Sequence, residues 1–520
     1  MSNEVAMIVK LSMVVVFFAV MVYVGVRCRR NSVDVNRFVL GGRMVGPWIT
    51  ALSYGSTYFS AVIFVGYAGQ FGWKFGLSAV WVGVGNAVIG SLLAWMILGR
   101  RTRIMTQQLD SRTMPEFFGK RLASKSLKIG ASVIVFIFLI PYSASLYNGL
   151  SRLFGMAFGI DYVWCIILMS ALTCVYVVLG GYMAQVINDS IQATIMLGGI
   201  IAVVSAVLKS RGGLVEAVSK MSEITAEGAE PGAFASVFGP DPKALLFVVL
   251  LTSLGTWGLP QMVNKFYSIR DEGAIKRGAV ISTVFALFVA GGCYFLGGFG
   301  RLFDIEVGPD GNPVAGFDSI VPTMLSNFGP VLIGVVVILV LSASMSTLSS
   351  LVMASSSTVT IDLIKGNLKK HMSERQQIGI MRLLIVVFIS LSAAIAILQY
   401  RYNFEHIAQL MGISWGALAG SFLAPFLFCL YWKRTTKAAA WSSFGFAVGI
   451  MVLNMLFRNY FPALLRSPIN CGVFAMLAGL LIVPVVSLLT GAPDKAVVES
   501  AFAGYVSAPR ATGNTVKTNT

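Results

Sequence analysis

Residues 46–69 read GPWITALSYGSTYFSAVIFVGYAG, a segment long and apolar enough to cross a bilayer. Small and hydroxyl-bearing residues cluster at its centre, between Ser53 and Ser60. A second apolar segment, TSLGTWGLPQMVNKF at 252–266, carries glycine and proline in its middle. Such residues free backbone amides and carbonyls from the helix, and these groups survive at membrane depth only where they line a cavity or bind a ligand. Both segments are therefore predicted to be broken transmembrane helices.

The composition places the whole chain in a membrane. Of its 520 residues, 56% are hydrophobic and 12% are charged, whereas soluble domains carry about 25% charged residues. The mean hydropathy of +0.80 agrees. These values exclude a disordered chain, a disulfide scaffold and an ordinary soluble enzyme, so no catalytic residues are expected. The six cysteines form no CxxC pair and the chain has two histidines, which leaves little for a zinc or haem site.

Thirteen apolar runs of spanning length follow one another along the chain. They lie near 5–27, 46–68, 76–99, 128–157, 160–180, 185–208, 243–267, 277–300, 329–361, 378–400, 405–432, 438–457 and 468–491. The two interrupted spans are the second and the seventh, and this spacing predicts two inverted five-helix repeats. The predicted parts are an N-terminal extra helix with an inner loop (1–45), repeat 1 (46–208), an outer loop (209–242), repeat 2 (243–432), two C-terminal helices (433–491) and a disordered cytoplasmic tail (492–520).

The positions of the basic residues predict the orientation. With the N-terminus outside, 28 of the 39 Lys and Arg residues fall on the inner side, as cytoplasmic loops require. The net charge of +17 is thereby explained without a nucleic-acid partner. We expect a multi-pass protein of the plasma (inner) membrane, functional as a monomer, with an outer N-terminus and a cytoplasmic C-terminus.

The ninth span contains the hydroxyl-rich stretch LSASMSTLSSLVMASSSTVTID. Within it, Ala343, Ser346 and Thr347 are spaced i, i+3 and i+4 and so share one helix face. Two hydroxyls and a carbonyl on one face suit a small hard cation, which prefers oxygen ligands. The broken second span can add backbone carbonyls near Ser56 and Phe59.

Asp189, in the run INDSIQ, is a lone carboxylate close to the membrane. Intramembrane charges mark function by default, and Ser349 and Ser350 continue the polar stripe of the ninth span. The alternatives stay open at this point. Asp189 can instead be a helix N-terminal charge favoured by the macrodipole, while the serines pack or bond back to their own carbonyls.

At these residues the sequence resembles the sodium:solute symporter family, over about residues 5–490. The motifs that carry the resemblance are GGR (41–43), the two serines of 53–60, GxxG (66–69), TMPEFFGKR (113–121), GGYMAQVINDSIQ (180–192), GLPQ (258–261) and SMSTLSS (344–350). The resemblance implies an all-α polytopic membrane fold, the inverted-repeat bundle of the amino-acid symporter class.

The resemblance also implies a set of sodium ligands. In the shared sodium site, these are the carbonyls of Ser56, Phe59 and Ala343 and the hydroxyls of Ser346 and Thr347. A second sodium site, present in some members, corresponds here to Asp189, Ser346, Ser349 and Ser350. One or two Na⁺ ions are the expected coupling ions, and no organic cofactor is expected.

The candidate substrate site is formed by Thr57, Tyr58, Ser60, Tyr142, Thr256 and Trp257. Proline symporters carry an Asp where this chain has Tyr58. Sugar symporters place an aromatic gate where this chain has Thr256, before Trp257. Sialic acid symporters use an Arg in a helix that matches 129–151, which has no Arg or Lys. The stretch STYFSA resembles pantothenate symporters.

The function predicted from the sequence is sodium-coupled import of a small organic solute by alternating access. The solute is expected to be a carboxylate, an amino acid or pantothenate-like. The main alternative is a proton-coupled carrier, which needs titratable groups at mid-depth such as Asp189. A channel and a transporter-like sensor are less favoured, because the chain has neither a repeated filter sequence nor room for a signalling domain after 491.

Overall fold

The computed structural model describes residues 3–29, 34–225, 230–365, 371–402 and 407–507. Within these ranges the fold is helical, and β structure is limited to two isolated bridges. The α-helices are α1 (Asn3–Cys28), α2 (Val35–Leu40), α3 (Pro47–Tyr58), α4 (Ala68–Phe75), α5 (Val80–Gly85), α6 (Arg100–Gln108), α7 (Met114–Arg121), α8 (Lys125–Phe158), α9 (Tyr162–Ser210), α10 (Leu214–Glu223), α11 (Pro242–Leu254), α12 (Pro260–Tyr267), α13 (Glu272–Gly298), α14 (Ile320–Ser326), α15 (Pro330–Thr358), α16 (Glu374–Tyr402), α17 (Ile407–Tyr431), α18 (Lys437–Phe457), α19 (Pro468–Leu489) and α20 (Lys495–Ser507).

The described helices include long apolar segments that are able to span a membrane. In the described part of the chain, 10 helical segments are long and apolar enough to cross a bilayer, and the bent pair of α11 and α12 makes up to 11. Two of these segments, Val62–Gln108 and Tyr162–Ser210, have 47 and 49 residues, about twice the length of one crossing. The latter contains the non-helical Gly181 (φ 59°, ψ −157°), between the runs expected at 160–180 and 185–208. Thirteen spans and the inverted repeat stay predictions.

Both helix breaks expected from the sequence are present, and they share one backbone geometry. The first break follows Tyr58, where Phe59 has φ −102° and ψ 111°. The second lies at Leu259, with φ −87° and ψ 120°, and it bends the span by 47°. Pro260 favours an extended residue before it and cannot donate a helical hydrogen bond, which explains the second break.

The outer helices present apolar side chains to the surroundings. Ile8 on α1, Leu383 on α16 and Leu481 on α19 are 64%, 62% and 70% exposed, respectively. An exposed apolar surface of this extent is typical of contact with lipid tails. In contrast, α15 is buried along its entire hydroxyl-rich part, from Leu341 to Thr358. It is the central helix, and it packs against α9, α8, α1 and α3.

Glycines allow the helices around this centre to approach each other closely. A Cβ atom on Gly72 of α4 would lie 2.0 Å from the carbonyl of Gly297 on α13. Conversely, a Cβ on Gly297 would lie 1.9 Å from the carbonyl oxygen of Ala68. Only glycine permits this backbone contact, so both positions fix the distance between α4 and α13.

The predicted disordered tail, 492–520, requires a correction. Its first part forms α20, because one side of the helix is apolar and packs onto α6. Val498 and Phe502 are buried, and the Tyr505 hydroxyl donates to the carbonyl of Arg101 at 3.0 Å. The rest of the tail lies outside the described residues.

Candidate cation and substrate site

The break in α3 turns backbone carbonyls towards α15. The last helical hydrogen bond of this half-helix runs from the amide of Phe59 to the carbonyl of Gly55, at 3.2 Å. The next carbonyls along the chain, those of Ser56 and Thr57, accept hydrogen bonds from α15 side chains instead. The unwound segment therefore supplies the polar backbone groups that the sequence predicts.

Two hydroxyl groups of α15 meet these carbonyls. The Ser346 hydroxyl donates to the carbonyl of Ser56 at 2.9 Å and lies 3.2 Å from the carbonyl of Ala343. The Thr347 hydroxyl donates to the carbonyl of Thr57 at 2.9 Å and lies 3.1 Å from that of Ala343. We call these five residues the α3–α15 cluster.

The α3–α15 cluster differs from the expected shared sodium site at one residue. Four of the five expected residues are brought together, namely Ser56, Ala343, Ser346 and Thr347. The carbonyl that meets Thr347 belongs to Thr57, which the sequence analysis assigned to substrate binding. Phe59 lies at the break itself, and its ring stacks on that of Tyr58 with the centroids 4.5 Å apart.

The chemistry of the α3–α15 cluster fits a small monovalent cation. Its donors are all uncharged oxygens, and its members are at most 1% exposed. Hard cations take oxygen ligands, and divalent ions are usually held by carboxylates as well. In the part of the chain that the structure describes, no group of three or more His, Cys, Asp or Glu side chains is placed to hold a metal ion.

Asp189 takes part in a buried ion pair. Its Oδ2 atom accepts a hydrogen bond from the Ser53 hydroxyl at 2.6 Å and lies 3.1 Å from Nζ of Lys265. The ammonium of Lys265 also donates to the Ser53 hydroxyl at 2.7 Å. Asp189 lies eight residues beyond the kink at Gly181, inside α9, and its carboxylate is engaged by these two side chains. The helix-capping interpretation is therefore wrong.

Sequence reasoning missed Lys265. The sequence analysis included it in the broken segment 252–266 and gave it no role. The structure places it in α12 with 1% exposure. A signal was available, since the run QMVNKF after the break at Leu259 surrounds the lysine with residues of a continuing helix.

The serines of the expected second sodium site have other partners. The hydroxyls of Ser349 and Ser350 both donate back to the carbonyl of Ser346, at 3.0 and 3.1 Å. Ser350 also lies 2.9 Å from the Thr57 hydroxyl and accepts from Gln185 at 2.6 Å. The carboxylate expected in the same site, in contrast, is held by a serine of α3 and a lysine of α12.

Aromatic rings gather beside the break in α3. The rings of Tyr58 and Tyr142 both pack against Trp415 of α17, with centroid distances of 6.4 and 5.9 Å. Trp415 was missed because it lies in an unbroken apolar helix and is brought here only by tertiary packing. We call Tyr58, Tyr142 and Trp415 the aromatic wall, to which the two tyrosines add hydroxyl groups.

The remaining candidate substrate residues lie at the second break. The hydroxyl of Tyr58 donates to the carbonyl of Thr252 at 2.5 Å, one turn before Thr256. The Thr256 hydroxyl donates to the carbonyl of Ser253 at 2.8 Å, and the indole N–H of Trp257 donates to that of Ile89 at 3.0 Å. The two broken helices thus meet directly at the candidate substrate site.

A large cavity lies beside α4 and α11. Its volume is about 960 Å³, and Gln70 and Phe71 of α4 form part of its lining. Its charged lining residues are the basic Lys74, Arg301, Arg458 and Arg466 and the acidic Asp241 and Asp310. The excess of basic side chains favours the approach of an anionic group.

Comparisons with known proteins agree on one family. The model of the sodium:solute symporter family matches residues 38–447. The osmoregulated proline transporter OpuE of Bacillus subtilis (strain 168) is 27% identical over 484 residues, covering 92% of this chain and 95% of the relative. A sodium/proline symporter of Staphylococcus aureus is 29% identical over 462 residues, covering 85% of this chain and 84% of the relative.

A solved structure shows the same fold. It is the substrate-bound, outward-open state of a Na⁺-coupled sialic acid symporter, with a TM-score of 0.74 and 17% identity. The match covers 93% of this chain and 98% of that chain. At this identity the likeness extends to the fold alone.

Proposed function

Because the chain belongs to the sodium:solute symporter family, we propose that it imports a small organic solute together with Na⁺, by alternating access in a multi-pass membrane bundle. The observation that carries the proposal is the α3–α15 cluster, in which hydroxyls of a buried helix meet carbonyls of a broken one. Interrupted helices of this kind bind substrates and coupling ions in secondary transporters.

We assign the coupling ion to this cluster. The proposed ligands are the carbonyls of Ser56, Phe59 and Ala343 and the hydroxyls of Ser346 and Thr347, as the family resemblance implies. The carbonyl of Thr57 joins them as a further donor, because it lies 2.9 Å from the Thr347 hydroxyl. A cation here draws α15 and the unwound end of α3 together, so that ion binding and the shape of the adjoining substrate site depend on each other.

The proposed substrate carries a carboxylate, as an amino acid or a pantothenate-like solute does. Tyr58, Ser60, Tyr142, Thr256 and Trp257 line its site, and Trp415 completes the aromatic wall. Two features support this class. The large cavity beside α4 and α11 is lined by more basic than acidic residues, and the two relatives named above are proline transporters. Under the predicted orientation, this cavity opens to the outside.

The identity of the solute is tested by uptake into proteoliposomes. We expect at least one labelled solute from a panel of amino acids, monocarboxylates and pantothenate to accumulate when an inward Na⁺ gradient is imposed. The same solute should fail to accumulate with choline in place of sodium. Accumulation that follows an imposed proton gradient in the absence of sodium would instead establish the proton-coupled alternative.

A further inference from the structure

Lys265, Asp189 and Ser53 form a closed triangle at the meeting point of three helices. Each pair of polar atoms in the triangle is 2.6–3.1 Å apart. The three residues come from α12, α9 and α3, and each is at most 1% exposed. Both broken helices are therefore tied to the same carboxylate, one through an ammonium and the other through a hydroxyl.

A small cavity adjoins this triangle at Lys265. Its volume is about 10 Å³, enough for one water-sized particle, and Lys265 forms part of its wall. Gln185, Gln261 and Asn264 line it as well. Within the described residues, the amide oxygens of these three side chains are buried without a hydrogen-bond partner. The cavity thus places unpaired amide oxygens beside Lys265, and oxygen atoms are the ligands that small hard cations prefer.

A sodium ion and the ammonium of Lys265 exclude each other in this place. Asp189 carries one negative charge, and Lys265 neutralises it at 3.1 Å. A second cation on the same carboxylate would face the ammonium at close range in a medium of low dielectric, where like charges repel strongly. Because Lys265 already neutralises the carboxylate, sodium finds no net negative charge there while the lysine is charged.

We propose that the ammonium of Lys265 occupies the position beside Asp189 that would otherwise hold a second sodium ion. The proposal rests on the proposed function, in that the α3–α15 cluster binds the first sodium ion. The protein then binds one Na⁺, and one sodium ion moves with each solute. Asp189 serves as the fixed partner of Lys265, and Ser349 and Ser350 stay bonded to their own helix.

The number of bound ions tests this proposal without a known substrate. Equilibrium binding of ²²Na⁺ to the purified full-length protein should give one ion per chain. Lys265→Met keeps the length of the side chain and removes its charge. This variant should bind two ions, because Asp189, Ser53 and the free amide oxygens are then open to sodium. Adding Asp189→Asn to Lys265→Met should return the count to one.

Lys128→Met provides a matched control. Lys128 pairs with the buried Asp362 at 3.3 Å, so this variant also removes the lysine from a buried carboxylate. The Lys128 side chain is 24% exposed, so in this variant water can reach the position that its ammonium leaves. The control should bind one ion. A gain of an ion in the control would show that any buried carboxylate that loses its lysine collects sodium, and it would overturn the proposal.

The other outcomes are equally decisive. Two ions in the unmutated protein, or one in a folded Lys265→Met variant, would contradict the proposal. No ion in the unmutated protein would refute the sodium site of the proposed function instead. If Lys265→Met is unstable without sodium, its melting temperature should rise more in NaCl than that of the unmutated protein, and Asp189→Asn should abolish the difference. If Lys265→Met folds neither with nor without sodium while Lys265→Met/Asp189→Asn folds, the ion pair serves the structure alone. This result would overturn the proposal.

Discussion

Asp189→Asn alone should destabilise the folded protein by about 3–5 kcal/mol, because it leaves the buried ammonium of Lys265 without its partner. The double variant Asp189→Asn/Lys265→Met should recover most of this loss. A neutral pair of similar volume is often as stable as a buried ion pair, since neither group has to be desolvated as a charge. The free energies of unfolding of the two single variants and the double variant, measured in the same detergent and compared with the unmutated protein, give the coupling energy.

Asp362→Asn is the control for this comparison. Asp362 is as buried as Asp189, but its partner Lys128 is partly exposed and can turn its ammonium to water. Asp362→Asn should therefore destabilise the folded protein clearly less than Asp189→Asn does. Equal costs for the two single variants, or a double variant no more stable than Asp189→Asn, would contradict the tight pairing of Asp189 with Lys265.

Ser346→Ala combined with Thr347→Ala should weaken the activation of transport by sodium at least about tenfold. The change removes two oxygen ligands from an ion that is surrounded by protein, and an ion left short of ligands there loses several kcal/mol of stabilisation. The sodium concentration that gives half-maximal uptake is the quantity to measure. The variant should change the sodium dependence of uptake more than its dependence on solute concentration, since neither hydroxyl belongs to the aromatic wall.

The same helix offers a control with the same residue types. Ser356 and Thr360 are buried, and their hydroxyls donate to carbonyls of their own helix, those of Met353 and Ser356. Ser356→Ala with Thr360→Ala should leave the sodium dependence unchanged. An unaltered sodium requirement in the Ser346/Thr347 variant would show that the coupling ion binds elsewhere.

The sequence predicted the parts of the site that depend on local chemistry. Small, hydroxyl-bearing and proline residues in the middle of two apolar segments predicted the breaks near Phe59 and Leu259 without a structure. The i, i+3, i+4 spacing of Ala343, Ser346 and Thr347 also fixes their common face.

What the sequence did not predict depends on tertiary packing. The sequence does not show that Lys265 is paired, because its partner Asp189 lies in another helix. Trp415 has no local signal at all. The choice of Thr57 as a carbonyl donor depends on how the unwound chain turns against α15, and the count of spans depends on helices that continue through kinks such as Gly181.

Movement of sodium driven by the solute is the most direct test of coupling. Proteoliposomes are prepared with equal Na⁺ on both sides and a trace of ²²Na⁺, and an inward gradient of the transported solute is applied without a membrane potential. If the solute and sodium share one transport cycle through the α3–α15 cluster, ²²Na⁺ accumulates transiently against its own gradient. The Ser346→Ala/Thr347→Ala variant should not show this accumulation at the same sodium concentration. Solute entry without any net movement of sodium would contradict the proposed symport.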